Sequence, residues 1–154
     1  MGLREQINEA LKEAMKAKNP KRVGTLRLIN AGLKDRDIAA RTAESRELLG
    51  DEEILSLLAK MIKQREDSVQ AYDAGNRPEL AAAERDEIAV IREFMPAQMS
   101  AEEAKIAIAN LISEISAASI KDMGKVMSAL KERFAGRMDF GKASGAVKDA
   151  LTGK

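Results

Sequence analysis

The chain has 154 residues, 45% hydrophobic and only 3% aromatic, with 26 basic side chains against 25 acidic ones. That balance leaves no overall field to attract nucleic acid or a membrane, and the length suits one domain, or one domain with a small appended module. Cysteine and histidine are both absent, which removes disulfides, thiolate nucleophiles, imidazole bases and the commonest metal ligands.

Helical periodicity runs through nearly the whole chain. Leu3, Ile7, Ala10, Leu11 and Ala14 form the first apolar stripe, and Asn19-Pro20 closes that helix and opens the next. Val23, Leu26, Ile29 and Leu33 mark the second helix, after which the period is lost from Arg41 to Gly50, as in a loop. Asp51 is expected to cap a long third helix carrying Ile54, Leu55, Leu58, Met61, Ile62, Val69 and Tyr72. Gly75-Asn76-Arg77-Pro78 reads as a stop followed by a start, with Pro78 where a first helical turn tolerates it. The fourth helix carries Leu80, Ala81, Ile88 and Ile91 and should end before Pro96.

Phe94 to Ser100 is the expected boundary between residues 1–95, an N-terminal multi-helix domain, and residues 100–154, a small three-helix bundle. Ser100-Ala101-Glu102-Glu103 has the spacing of a capping box, and behind it Ala104, Ile108, Leu111, Ile112 and Ile115 form a fifth stripe. Two shorter helices then open alike: Asp122-Met123-Gly124-Lys125-Val126 and, 17 residues on, Asp139-Phe140-Gly141-Lys142-Ala143. Leu130-Lys131 falls on Val147-Lys148 at the same offset, and each Asp suits an N-cap. Nothing shows the strict alternation of a sheet. The fold class is all-α, with a core of Leu, Ile, Met and Ala.

Several motifs invite a chemical reading and fail it. Gly136 to Lys142 matches the first seven positions of a phosphate-binding loop, but Ala143 stands where a magnesium-holding hydroxyl belongs and a helix precedes the glycine. Ser128-x-x-Lys131 has acyl-transfer spacing without the other elements of such enzymes. Glu84 and Glu87 share a helix face, as in di-iron bundles, yet those bundles also use histidine. A salt bridge to Arg27, Lys63 or Arg65 is the better account. No catalytic, cofactor-binding or metal-ligating residue is therefore assigned.

Charge is uneven along the chain. From residue 119 to 154 there are eight basic and four acidic residues, a net +4, whereas the rest carries 18 and 21, a net −3. Lys121, Lys125, Arg137, Lys142 and Lys148, grouped around the two similar helix starts, are the candidate phosphate contacts. Phe134 lies in register with the core stripe, which leaves Phe140 as the aromatic available for base stacking.

Taken together, Lys63-Gln64-Arg65-x-Asp67-Ser68 with Tyr72, Glu84 and Glu87, and the Pro96-x-Gln98 joint resemble the YqeY-like family. So do Lys121-Asp122-Met123-Gly124-Lys125-Val126-Met127 and Gly136-Arg137 through Val147-Lys148. That family is similar to the tail domain of the B subunit of glutamyl-tRNA/aspartyl-tRNA amidotransferase, a helical appendage that touches tRNA. The resemblance implies an N-terminal helical domain followed by a three-helix domain. It also implies a non-catalytic tRNA-binding or tRNA-enzyme accessory protein, with an aminoacyl-tRNA synthetase or the amidotransferase as a further partner. Two alternatives stay open: a protein–protein adaptor using the N-terminal helical surface, and a component of a glutamine-dependent carbon–nitrogen ligase that acts only with partner subunits. No DNA or membrane partner is expected. Residues 1–19 mix acids with bases, unlike a signal peptide, and no apolar run approaches the roughly 20 residues of a membrane span. A cytoplasmic location is the resulting expectation.

Overall fold

The computed structural model describes residues 2–42 and 48–153, and among these it is helical with no strand. The helices are α1 (Leu3–Lys16), α2 (Pro20–Ala39), α3 (Asp51–Ala74), α4 (Pro78–Arg92), α5 (Ala101–Glu114), α6 (Met123–Phe134) and α7 (Phe140–Thr152). A 3-10 turn, Ile120–Asp122, leads into α6. The expected loop from Arg41 to Gly50 includes residues 43–47, which lie outside the described residues.

The chain divides into two compact units, Met1–Met95 and Pro96–Lys154. In the first, α3 and α4 form a helical hairpin joined by Gly75–Arg77, and α1 and α2 pack beside it. Ile7, Leu26, Ile29, Leu33, Ile54, Leu58 and Ile91 are wholly buried, each drawn from the apolar stripe of its own helix. In the second unit α5, α6 and α7 enclose Ile108, Leu111, Val126, Leu130, Met138, Ala143 and Val147. Neither buried cluster contains an aromatic residue. Branched aliphatics fill the space between helices instead, as the composition requires.

The helix ends explain where each element stops. Asn19 caps α2 by accepting the Arg22 amide at 3.2 Å, and Pro20 opens the first turn. The capping box at Ser100 is complete: its hydroxyl accepts the Glu103 amide at 3.1 Å and the Glu103 carboxylate accepts the Ser100 amide at 3.1 Å. These bonds to Ser100 hold the Glu103 carboxyl below its ordinary value, with Arg137 adding a smaller push in the same direction.

One expected cap works differently. Asp51 does not cap α3, whose N-cap is Gly50 with no side-chain bond. Its Oδ1 instead accepts the amide of Leu3 at 3.1 Å. The carboxylate thus satisfies an orphan donor at the start of α1, a helix 48 residues away in sequence.

Candidate nucleic-acid interface

The two similar helix starts of the second unit fold to one pattern in the core and two at the caps. Val126 and Ala143 are buried at equivalent positions, as are Leu130 and Val147. Lys125 and Lys142, and Lys131 and Lys148, are the exposed counterparts. Asp139 caps α7 as expected, its Oδ1 accepting the amides of Gly141 at 2.9 Å and Lys142 at 3.3 Å. Asp122 does not cap α6 in that way. Its Oδ2 reaches back to the amides of Ala118 at 2.9 Å and Ser119 at 3.3 Å, because the 3-10 turn precedes the helix. Those two amides, with a smaller push from Lys125, hold the Asp122 carboxyl below its ordinary value.

Among the candidate phosphate contacts, Lys121, Lys125, Lys142 and Lys148 are exposed, and none forms an ion pair among the described residues. Arg137 is half-buried and tethered: its Nε donates to the Ala97 carbonyl at 3.1 Å, while its own carbonyl accepts the Met99 amide at 2.8 Å. One of its five donors is thereby committed. The Gln98 side-chain amide donates to the Gly136 carbonyl, fixing the same turn. Arg133 is committed as well, with both terminal guanidinium nitrogens on Glu114 at 2.6 and 2.8 Å. That fork holds the Glu114 carboxyl below its ordinary value.

The structure brings only some of these cations together. A groove of about 640 Å³ between α5 and α7 is lined by Ala104, Ile108, Ala143 and Ala146 together with Arg137 and Lys142. Lys121, Lys125 and Lys148 do not. The groove adds Lys105, which the sequence reading missed because it lies outside the basic 119–154 segment. The one available signal was alanine at matching helical spacings in α5 and α7, which leaves room between their backbones.

Phe140 corrects a second expectation. It packs, partly buried, against the core of this unit, as Phe134 does, so neither ring stands free as a stacking platform. The loop-like motif from Gly136 to Lys142 connects two helices, with Gly136 at φ 76° just past the end of α6. That is a helix stop of the left-handed kind, without the strand a phosphate-binding loop needs. In the first unit Glu87 pairs with Arg65 at 2.8 Å, one of the three partners expected for it. No group of three or more acidic side chains that could hold a metal occurs among the described residues.

A model of the family described as Yqey-like protein matches residues 4–151. The chain belongs to the YqeY-like family. Among curated relatives, the protein named "Altered inheritance of mitochondria protein 41, mitochondrial" from Lachancea thermotolerans is 32% identical over 111 residues, covering 71% of this chain and 57% of that one. Its namesake from Vanderwaltozyma polyspora is 29% identical over 89 residues, covering 58% and 46% respectively. This YqeY-like chain spans about half the length of the curated relatives it matches.

Those names overturn the expectation of a cytoplasmic location, since the relatives are designated mitochondrial. The expectation rested on features that separate membrane from water and do not separate one aqueous compartment from another. No helix among the described residues is long and apolar enough to cross a membrane.

Proposed function

We propose that this YqeY-like protein is a non-catalytic accessory that binds tRNA through the phosphate contacts of its C-terminal unit. The observation that carries this reading is the division of labour between cations in that unit. Arg133 is committed to Glu114 and Arg137 is tethered to Ala97 through one of its donors, whereas Lys121, Lys125, Lys142 and Lys148 stand exposed and outside any ion pair among the described residues. Two of the acids that could offset them, Asp122 and Asp139, are turned onto backbone amides. A surface of this kind suits a polyanion read by its backbone, and the resemblance to the amidotransferase tail read from the sequence favours tRNA among polyanions. The residues present offer no imidazole or thiol, and this reading leaves any carbon–nitrogen ligation to a partner.

The test is tRNA affinity as a function of salt for the full chain and for the Lys125→Ala/Lys142→Ala double variant. Each lost phosphate contact lowers the slope of log affinity against log salt by about one, so the double variant should bind more weakly with a slope shallower by about two. Wild-type affinity and slope in the double variant would place the contact elsewhere. A protein partner retained at high salt, with no RNA bound, would favour an adaptor.

A further inference from the structure

One face of α2 is unpartnered among the described residues and has the pattern of a helix–helix seam. Gly24, Leu28, Ala31, Asp35 and Ile38 follow one another at spacings of four, three, four and three residues, the heptad repeat that keeps a stripe facing a second helix. All five are exposed, Leu28 by 48% and Ile38 by 50%. The opposite face of α2, with Leu26, Ile29 and Leu33, already fills the core. Gly24 adds a separate argument. A glycine inside a helix destabilises it by roughly 0.5–1 kcal/mol relative to alanine, and a Cβ built at this position meets nothing within 4 Å. No packing among the described residues explains the missing side chain, which is true of Gly124 and Gly145 as well, but Gly24 alone of these lies on the α2 stripe, where the open space would admit a second backbone.

We propose that the occupant is a second copy of this chain, with the two α2 helices antiparallel about a two-fold axis at Ala31. The charges select this arrangement. Reversal about position 31 sets each residue against its mirror position, so Arg27 of one copy meets Asp35 of the other, twice by symmetry. Neither side chain forms an ion pair within the chain among the described residues. Arg4, Arg22, Arg65, Arg77, Arg85 and Arg92 in the same unit hold carboxylates, while Arg36, off this stripe, does not among the described residues. The same reversal places Ile38 over Gly24, a bulky side chain against the gap, and lays the aliphatic stem of Lys34 over Leu28. Parallel pairing would instead set Arg27 beside Arg27 and Asp35 beside Asp35. An interface of one helix face per copy lies at the small end of specific interfaces, so weak self-association is expected.

Sedimentation velocity of the full chain up to on the order of 100 µM, high enough to reveal weak self-association, gives the baseline. Arg27→Asp and Asp35→Arg should each weaken self-association at least tenfold, because each puts like charges opposite one another. An equimolar mixture of the two variants should form a heterodimer, since both cross-pairs are then complementary. Gly24→Leu should also abolish the dimer while keeping the helical circular dichroism and leaving the monomer's unfolding midpoint no lower, because a Cβ there meets nothing among the described residues and leucine favours the helix. A wild-type chain that stays monomeric throughout this range overturns the proposal. So does a dimer indifferent to Gly24→Leu, or two charge variants that fail to associate with each other.

Discussion

Asp37 sits at the end of α2 with 6% of its surface exposed, where Arg4 grips both carboxylate oxygens at 2.9 and 3.0 Å and the Leu49 amide donates at 3.0 Å. Burial opposes its ionisation, but the Leu49 amide and the Arg4 guanidinium outweigh it and hold the carboxyl below its ordinary value. A depressed folded value means the stabilisation is complete above the unfolded carboxyl value of about 3.9 and is lost as pH falls through the folded one. Asp37→Asn keeps the shape and an acceptor for Leu49 but removes the charge-assisted fork. It should cost about 1.5–3 kcal/mol at neutral pH, the range for hydrogen bonds to charged groups, and should flatten the acid limb of the stability profile. Urea unfolding followed by the fluorescence of Tyr72, the chain's single tyrosine in a protein without tryptophan, reads this in the unit that contains Asp37. Equal loss of stability at pH 3 in wild type and variant would show that the carboxylate is not the group titrating. In the other unit, Ser100→Ala removes one half of the capping box and should cost about 1 kcal/mol, seen as an earlier loss of helical circular dichroism.

The helix ends show which parts of an element can be read from local sequence. Stripes such as Leu26, Ile29 and Leu33 needed only the helical period, and the Ser100–Glu103 box needed only a four-residue spacing; both are present as expected. Asp51 and Asp122 were misjudged because their acceptors are filled by amides that local spacing does not rank: one belongs to another helix, the other two precede a 3-10 turn. The stops after α1 and α3 fall where Asn19-Pro20 and Gly75–Pro78 place them, but the residue that makes each turn was not legible there or after α5. Each helix closes with the paired bonds of a Schellman motif, the left-handed residue being Lys18, Asn76 or Ser116 at φ 55–57°, not a glycine. At the Gly75-Asn76 stop the glycine takes φ −85° and the asparagine carries the left-handed turn. A left-handed conformation costs a residue with a Cβ roughly 1–2 kcal/mol, partly offset on replacement by the greater unfolded-state entropy of glycine. Lys18→Gly should therefore raise stability by about 0.5–1 kcal/mol, and a lower urea midpoint would contradict the assigned geometry. Asp51→Ala should act in the opposite sense. It leaves the Leu3 amide without its acceptor and should cost about 1 kcal/mol, typical of a lost cap, although the residue lies in α3 and the damage falls on α1.

At the scale of the whole molecule the net charge of +1 conceals a division between a C-terminal segment at +4 and a remainder at −3. The sequence reveals that division because it is a count. It does not reveal which cations are available, since that depends on whether folding supplies a carbonyl or carboxylate partner, as it does for Arg137 and Arg133. The same consideration governs chemistry. Activation of water or of a nucleophile needs a base poised near neutral pH or a bound metal, and the groove between α5 and α7 presents ammonium groups, a guanidinium, carboxylates and alanine methyls. Asp139, its nearest carboxylate to Lys142 in sequence, is engaged as a helix cap. The purified chain should accordingly release neither phosphate from ATP nor ammonia from glutamine above a buffer blank, with or without tRNA. The comparison that decides is wild type against Lys142→Ala, assayed across successive chromatographic fractions. Turnover that follows the protein peak and vanishes with Lys142 would make the 136–142 turn a phosphate site despite its helical surroundings. Turnover unchanged by the substitution would belong to a contaminant or to another part of the chain, and repeating the assay on material purified under denaturing conditions and refolded separates those two.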